Sequence, residues 1–162
     1  MSDVMKTDAK RESLSDAVSH LLEECRMVLP GIQTLFGFQL IAVFNQSFWE
    51  KLQRPEQIIH LVAIALVAVS VALVMTPAAY HRHAEPETIS RRFIILSTRL
   101  LSWSMFPLML GISLDFYIIG RLILQSRIGS LLSTLLLVAI FIILWFVLPR
   151  QSTLQRLVSG SR

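Results

Sequence analysis

Four long apolar runs, separated by short polar breaks, organise the chain. They lie at about 27–48 ("MVLPGIQTLFGFQLIAVFNQSF"), 57–79 ("QIIHLVAIALVAVSVALVMTPAA"), 93–120 and 128–148 ("IGSLLSTLLLVAIFIILWFVL"). A bilayer core of roughly 30 Å needs about 20 apolar residues in a helix, and each run is long enough. The breaks are "WEKLQRPE", "YHRHAEPETISRR" and "RLILQSR", the last short and half apolar. The pattern predicts an all-α membrane protein with four transmembrane helices.

Ahead of the first run the period changes. Leu14, Val18, Leu21, Cys25 and Val28 recur at spacings of four and three, which is one helical face. Ser13 with Asp16 three residues on resembles a capping signal. These features predict an N-terminal amphipathic interfacial helix over about 13–28, lying on the membrane surface. Pro30–Gly31 would then bend the chain into the bilayer. A single long helix running through Pro30 is the alternative. The resulting division is a cytoplasmic N-terminal segment (1–26), a four-helix transmembrane domain (27–149) and a basic tail (150–162).

Composition agrees with the pattern. Of 162 residues, 54% are hydrophobic and only 16% charged, where soluble domains carry about 25% charge. The polar start, "MSDVMKTDAKRESLSDAVSH", has no apolar core or small-residue cleavage site, so no cleaved signal is expected. One cysteine, Cys25, excludes an internal disulfide. The net charge of +4 is accounted for by the flanks of the spans, and no basic patch interleaved with aromatics points to nucleic acid.

Lys and Arg are distributed unevenly between those flanks. Ten lie in the N-terminal segment, the second break and the tail; only Lys51, Arg54, Arg121 and Arg127 lie on the other side. With an even number of spans, this bias puts both termini in the cytoplasm.

Inside the spans the polar residues are few. Asp115 is the only acidic one, and intramembrane carboxylates often serve proton or cation relays. Arg99 lies 16 residues earlier, about 24 Å along a helix and about 160° around it, so the two cannot pair directly. Arg99 is expected to snorkel or to meet Glu23 or Glu24, and Asp115 to meet Arg121 or Arg127. Gln33, Gln39 and Asn45 are six apart and do not share a face. Gln33, Gln39 and Asp115 are the candidates for handling an ion or proton, with Arg99 tuning their charge. His60, near the outer end of the second span, has an imidazole that titrates near neutrality; its expected place is the interface. Ala65, Ala68, Ala72, Thr76 and Ala79 fall within about 80° on one helix and form a small-residue packing face, for a neighbour in the bundle or for a second copy. His81 and His83 near Glu85 and Glu87 are too few and too poorly spaced for a metal site, and none is expected. No catalytic motif or phosphate loop occurs, so neither an enzyme nor a cofactor is expected.

Two stretches carry a resemblance: "EECRMVLPGIQTLFGFQL" and "FWEKLQRPEQIIHLVAIALVAVSVALVMTPAAYHR". Glu24-x-Arg26, Gly31-x-Gln33, Phe36, Phe48 and Pro77 through Arg82 are its markers. Over roughly residues 20–120 the chain resembles a bacterial family of small four-span membrane proteins of unknown function, often loosely labelled sodium:proton antiporter. The resemblance implies location in the bacterial inner membrane. It also draws Glu24, Arg26, His81 and Arg82 together as a cytoplasmic polar cluster. Two functions are expected from all this. One is a small transporter or channel-like protein for protons or monovalent cations, working in the bilayer as a homo-oligomer. The other is a non-enzymatic accessory subunit that binds another membrane protein through the small-residue face.

Overall fold

The computed structural model describes residues 2–84 and 91–150, with side chains at residue 16, 18–80, 82 and 93–150. Among the described residues every regular element is helical. The order is α1 (Ser2–Val43), α2 (Gln46–Lys51), α3 (Arg54–Ala84), α4 (Arg91–Leu124) and α5 (Arg127–Ile142). A π-helical turn, Ile143–Val147, and a 3₁₀ turn, Leu148–Arg150, continue α5. Four segments are long and apolar enough to cross a bilayer: Val18–Val43, Arg54–Tyr80, Phe93–Leu124 and Arg127–Arg150. The chain is a multi-pass integral membrane protein.

The last three spans agree with the sequence pattern to within a few residues. The first does not. α1 continues through Pro30 as one helix instead of being divided there. Proline removes one helical N–H, but a single lost bond is tolerated in a helix held by neighbours. The face read as interfacial is also used differently. Leu21 and Cys25 are buried in one cluster with Ile32 of α1 and Val67 and Val74 of α3, so this stretch packs against the bundle. At its other end α1 stops five residues sooner than the apolar run. Asn45 accepts a hydrogen bond from the Ser47 N–H at 2.9 Å and starts α2. The Trp49 indole N–H donates to the Val43 carbonyl at 2.9 Å, occupying one of the carbonyls left open at the end of α1.

The principal seam runs between α3 and α4. On α3 the buried positions are His60, Ala63, Val67, Ser70, Val74 and Pro77, spaced three and four apart. Ala65, Ala72, Thr76 and Ala79 are exposed and Ala68 is half-buried, so the small-residue stripe faces outward. The contact face is therefore a quarter-turn or more away from the stripe. Gly111 of α4 marks the closest approach. A Cβ there would stand 2.8 Å from Val67 Cγ2 and 3.0 Å from the Ala63 carbonyl oxygen. A missing side chain is what allows two backbones to meet this closely in lipid. α5 lies against α4 and buries only Ser130.

Candidate functional site: a three-helix polar cluster

α1 and α4 run one way and α3 the other, so the end of α1, the start of α3 and the end of α4 meet at the end of the bundle that carries α2. Gln39 is about 6 Å in from the end of α1, His60 about 9 Å in from the start of α3, and Asp115 about 13 Å in from the end of α4. The Gln39 amide N–H donates to Asp115 Oδ2 at 2.6 Å. His60 Nδ1 is 2.8 Å from Asp115 Oδ1, and His60 Nε2 is 3.0 Å from the Gln39 main-chain oxygen. One carboxylate thus ties three helices together. Gly111 is one turn from Asp115 and Ala63 one turn from His60, so the close approach of α3 and α4 sets the carboxylate-to-imidazole distance.

The hydrogen-bond partners bear on where protons sit here. A carbonyl oxygen only accepts, so His60 Nε2 carries a hydrogen. If that were the imidazole's only hydrogen, Nδ1 would turn a lone pair toward a carboxylate oxygen. The 2.8 Å contact therefore calls for a second hydrogen, either on Nδ1 or on Asp115 Oδ1. Both forms hold one proton more than a neutral imidazole beside an ionised carboxylate. The imidazolium form also lies near the carbonyl end of α1, where the helix dipole favours positive charge.

Gln39 is only 3% exposed, and its Oε1 has no partner. Reversing the amide would set an oxygen against Asp115 Oδ2, so the carboxylate holds Oε1 as the free atom. Phe48 of α2 covers the imidazole, with ring centroids 5.2 Å apart. The Asp115 side chain retains 17% exposure, so the cluster is open on one side. That side is a groove of about 580 Å³. Its apolar walls include Leu35, Phe38, Phe116 and Ile119, and its rim carries Asn45, Ser47 and Lys51.

The arrangement revises several expected partnerships. Asp115 pairs with His60, while Arg121 pairs with Glu56 at 3.4 Å. Glu56 also accepts the Gln53 N–H at 2.9 Å, which anchors it at the start of α3. Gln39 and Asp115 are brought together as candidates, but Gln33 and Arg99 are exposed and remote from them. Arg99 makes no ion pair with Glu23 or Glu24 among the described residues; Glu23 instead faces His20 at 3.8 Å. Of the proposed cluster at the opposite end, three of the four side chains are described. Glu24, Arg26 and Arg82 are each exposed with no ion pair between them, and the His81 side chain lies outside the described residues. The His83 side chain, Glu85 and Glu87 also lie outside them. His60 was the residue that sequence reasoning placed wrongly. Its depth offered a signal, because Gln39, His60 and Asp115 each fall a few residues inside the same end of their spans.

Residues 7–149 match the model of a family of unknown function, DUF6328. The chain belongs to that family. No curated protein and no solved structure matches it.

Proposed function

We propose that this family member handles protons in the membrane, moving protons or monovalent cations with His60, Asp115 and Gln39 as its binding site. The observation that carries the reading is the contact itself: a buried imidazole and a partly buried carboxylate from different helices, 2.8 Å apart, in a geometry that calls for a shared proton. Intramembrane carboxylates and imidazoles arranged in this way serve proton relays. The Lys and Arg bias favours a cytoplasmic location for both termini, and the resemblance favours a bacterial inner membrane. In that orientation the site opens outward.

The seam beyond the cluster is packed by Ala63, Val67 and Val74, and Ser70 donates to the Ser104 carbonyl at 2.9 Å. Passage to the other face in this reading requires α3 and α4 to rearrange, or a second copy to complete the route. A second reading is supported by the outward small-residue stripe on α3: a non-enzymatic accessory subunit docking a helix of another membrane protein there.

Flux in liposomes tests the first reading. Purified protein is reconstituted with a pH-sensitive dye inside and Na⁺, K⁺ or choline outside, as wild type, Asp115→Asn and His60→Ala. Cation-dependent proton movement, abolished in both variants, is expected. Absence of flux from inserted, folded wild-type protein would overturn the transport reading in favour of the accessory one. Flux unaltered by both substitutions would remove the cluster from the path.

A further inference from the structure

The hydrogen bonds of the cluster define what else it can hold. His60 has both ring nitrogens engaged, and one N–H of the Gln39 amide is engaged with Asp115. The second Gln39 N–H is the one donor left over. The free acceptors outnumber it: the unpartnered Gln39 Oε1 and the remaining lone pairs of Asp115. An anion would find that single N–H beside a carboxylate. A donor with positive charge finds two oxygens.

The surroundings define the rest of such a molecule. The groove beside the cluster is open on one side and mostly apolar, and it has the volume of a pocket for a drug-sized ligand. Phe38, Phe48 and Phe116 line it, and aromatic faces attract cations. A hydrated metal ion would gain nothing from these walls. We propose that the groove binds a lipophilic organic monocation bearing an N–H, such as a protonated hydrophobic amine, and that the cation displaces the proton shared by His60 and Asp115. The inference rests on the proton-handling reading and names the substrate class of that same site.

The exchange balances. Before binding, the imidazolium and the carboxylate sum to zero. On binding, one proton leaves to water and His60 keeps the Nε2 hydrogen that faces Gln39. The ammonium then donates to Asp115 Oδ1 and to Gln39 Oε1, and the sum is again zero. One cation replaces one proton, and the buried acceptor gains its missing partner. The other charged groups around the site are Lys51 on α2, Arg54 and Glu56 on α3, and Arg121 on α4. Glu56 and Arg121 neutralise each other. Lys51 is exposed at the rim, where water screens it. It leaves room for an anionic lipid head at the interface as the competing occupant.

Three fluorescent probes sharing one apolar group separate these cases: dansylcadaverine (a primary ammonium), dansylamide (neutral) and 11-(dansylamino)undecanoate (an anion). Each is titrated into full-length protein in nanodiscs of neutral lipid, and proton release is followed in weak buffer. Saturable binding of the ammonium is expected, with about one proton released per cation bound. Its affinity should rise about tenfold per pH unit while the shared proton is still present, as a one-for-one exchange demands. Gln39→Met, which removes the acceptor and keeps the length, should weaken the ammonium by tenfold or more; Lys51→Met should not weaken it.

Equal or tighter binding of the undecanoate, lost in Lys51→Met, would overturn the proposal in favour of a lipid anion. Ammonium binding without proton release would also overturn it, and the wild type alone decides this even if the variants fail to fold. The two readings fail separately. Asp115-dependent Na⁺ or K⁺ exchange without amine binding leaves proton handling intact and removes this substrate. Amine binding with proton release but no flux leaves the site intact and removes transport.

Discussion

Gly111→Ala is the substitution that best separates the packing of α3 on α4 from the general oiliness of both. The new methyl would lie 2.8 Å from Val67 Cγ2 and 3.0 Å from the Ala63 carbonyl oxygen. Non-bonded carbons settle at about 3.5–4.0 Å, so something must yield by about 0.7–1 Å. Val67 is fully buried and has little room to rotate. The Ala63 oxygen belongs to the backbone and moves only with the helix. The two helices therefore separate, and they do so one turn from His60 and Asp115. A contact now at 2.8 Å would open to about 3.5 Å, past useful hydrogen bonding.

Overpacking of this kind costs about 1–3 kcal/mol, and an interhelical hydrogen bond in a membrane contributes about 0.6–1.7 kcal/mol more. At roughly 2–4 °C per kcal/mol for a chain of this size, Tm should fall by about 3–19 °C. Thermal unfolding in one detergent is the assay, with Gly37→Ala as the internal control. No atom lies within 4 Å of a Cβ placed at Gly37, so there the helix propensity of Ala should leave Tm unchanged or raise it. Val67→Ala added to Gly111→Ala should recover part of the loss, because it relieves the methyl contact and leaves the carbonyl one. A Gly111→Ala protein that melts as high as Gly37→Ala would refute the close approach and with it the argument for the cluster's geometry.

Two further outcomes follow from the ion pairs. Glu56→Arg or Arg121→Glu alone places like charges about 3.4 Å apart in a partly buried position and should lower Tm, while the double exchange should restore part of it; no recovery in the swap would mean that the pair is not direct. Arg99→Leu should leave proton release and flux unchanged, since Arg99 is exposed and about 24 Å along α4 from Asp115; altered proton release would show that it acts on the cluster after all.

Much of the molecule was legible along the chain, and the failures share a cause. The spans could be read because hydropathy is a local property that lipid amplifies. Pro30 misled because its effect depends on whether neighbours hold the helix, which the buried contacts of Leu21, Cys25 and Ile32 show that they do. The α3 stripe misled for a related reason. Small residues permit close approach on whichever helix carries them, and here Gly111 of α4 supplied the gap. Asp115 and Gln39 stood out as costly groups in an apolar run, but their partner did not, because a histidine near a span end is equally at home in the interface.

Read along the chain alone, the residues show four crossings, the bounds of the last three to within a few residues, and which few side chains there need partners. Helix length and burial in lipid follow from residues a few positions apart. Which faces meet is a matter of packing between helices. In a helix that is apolar all round, hydropathy offers almost no contrast with which to set rotation about the axis. Rotation was settled by steric fit at Gly111, Ala63 and Val67, and that fit brought His60 of one helix to Asp115 of another and the Gln39 amide of a third.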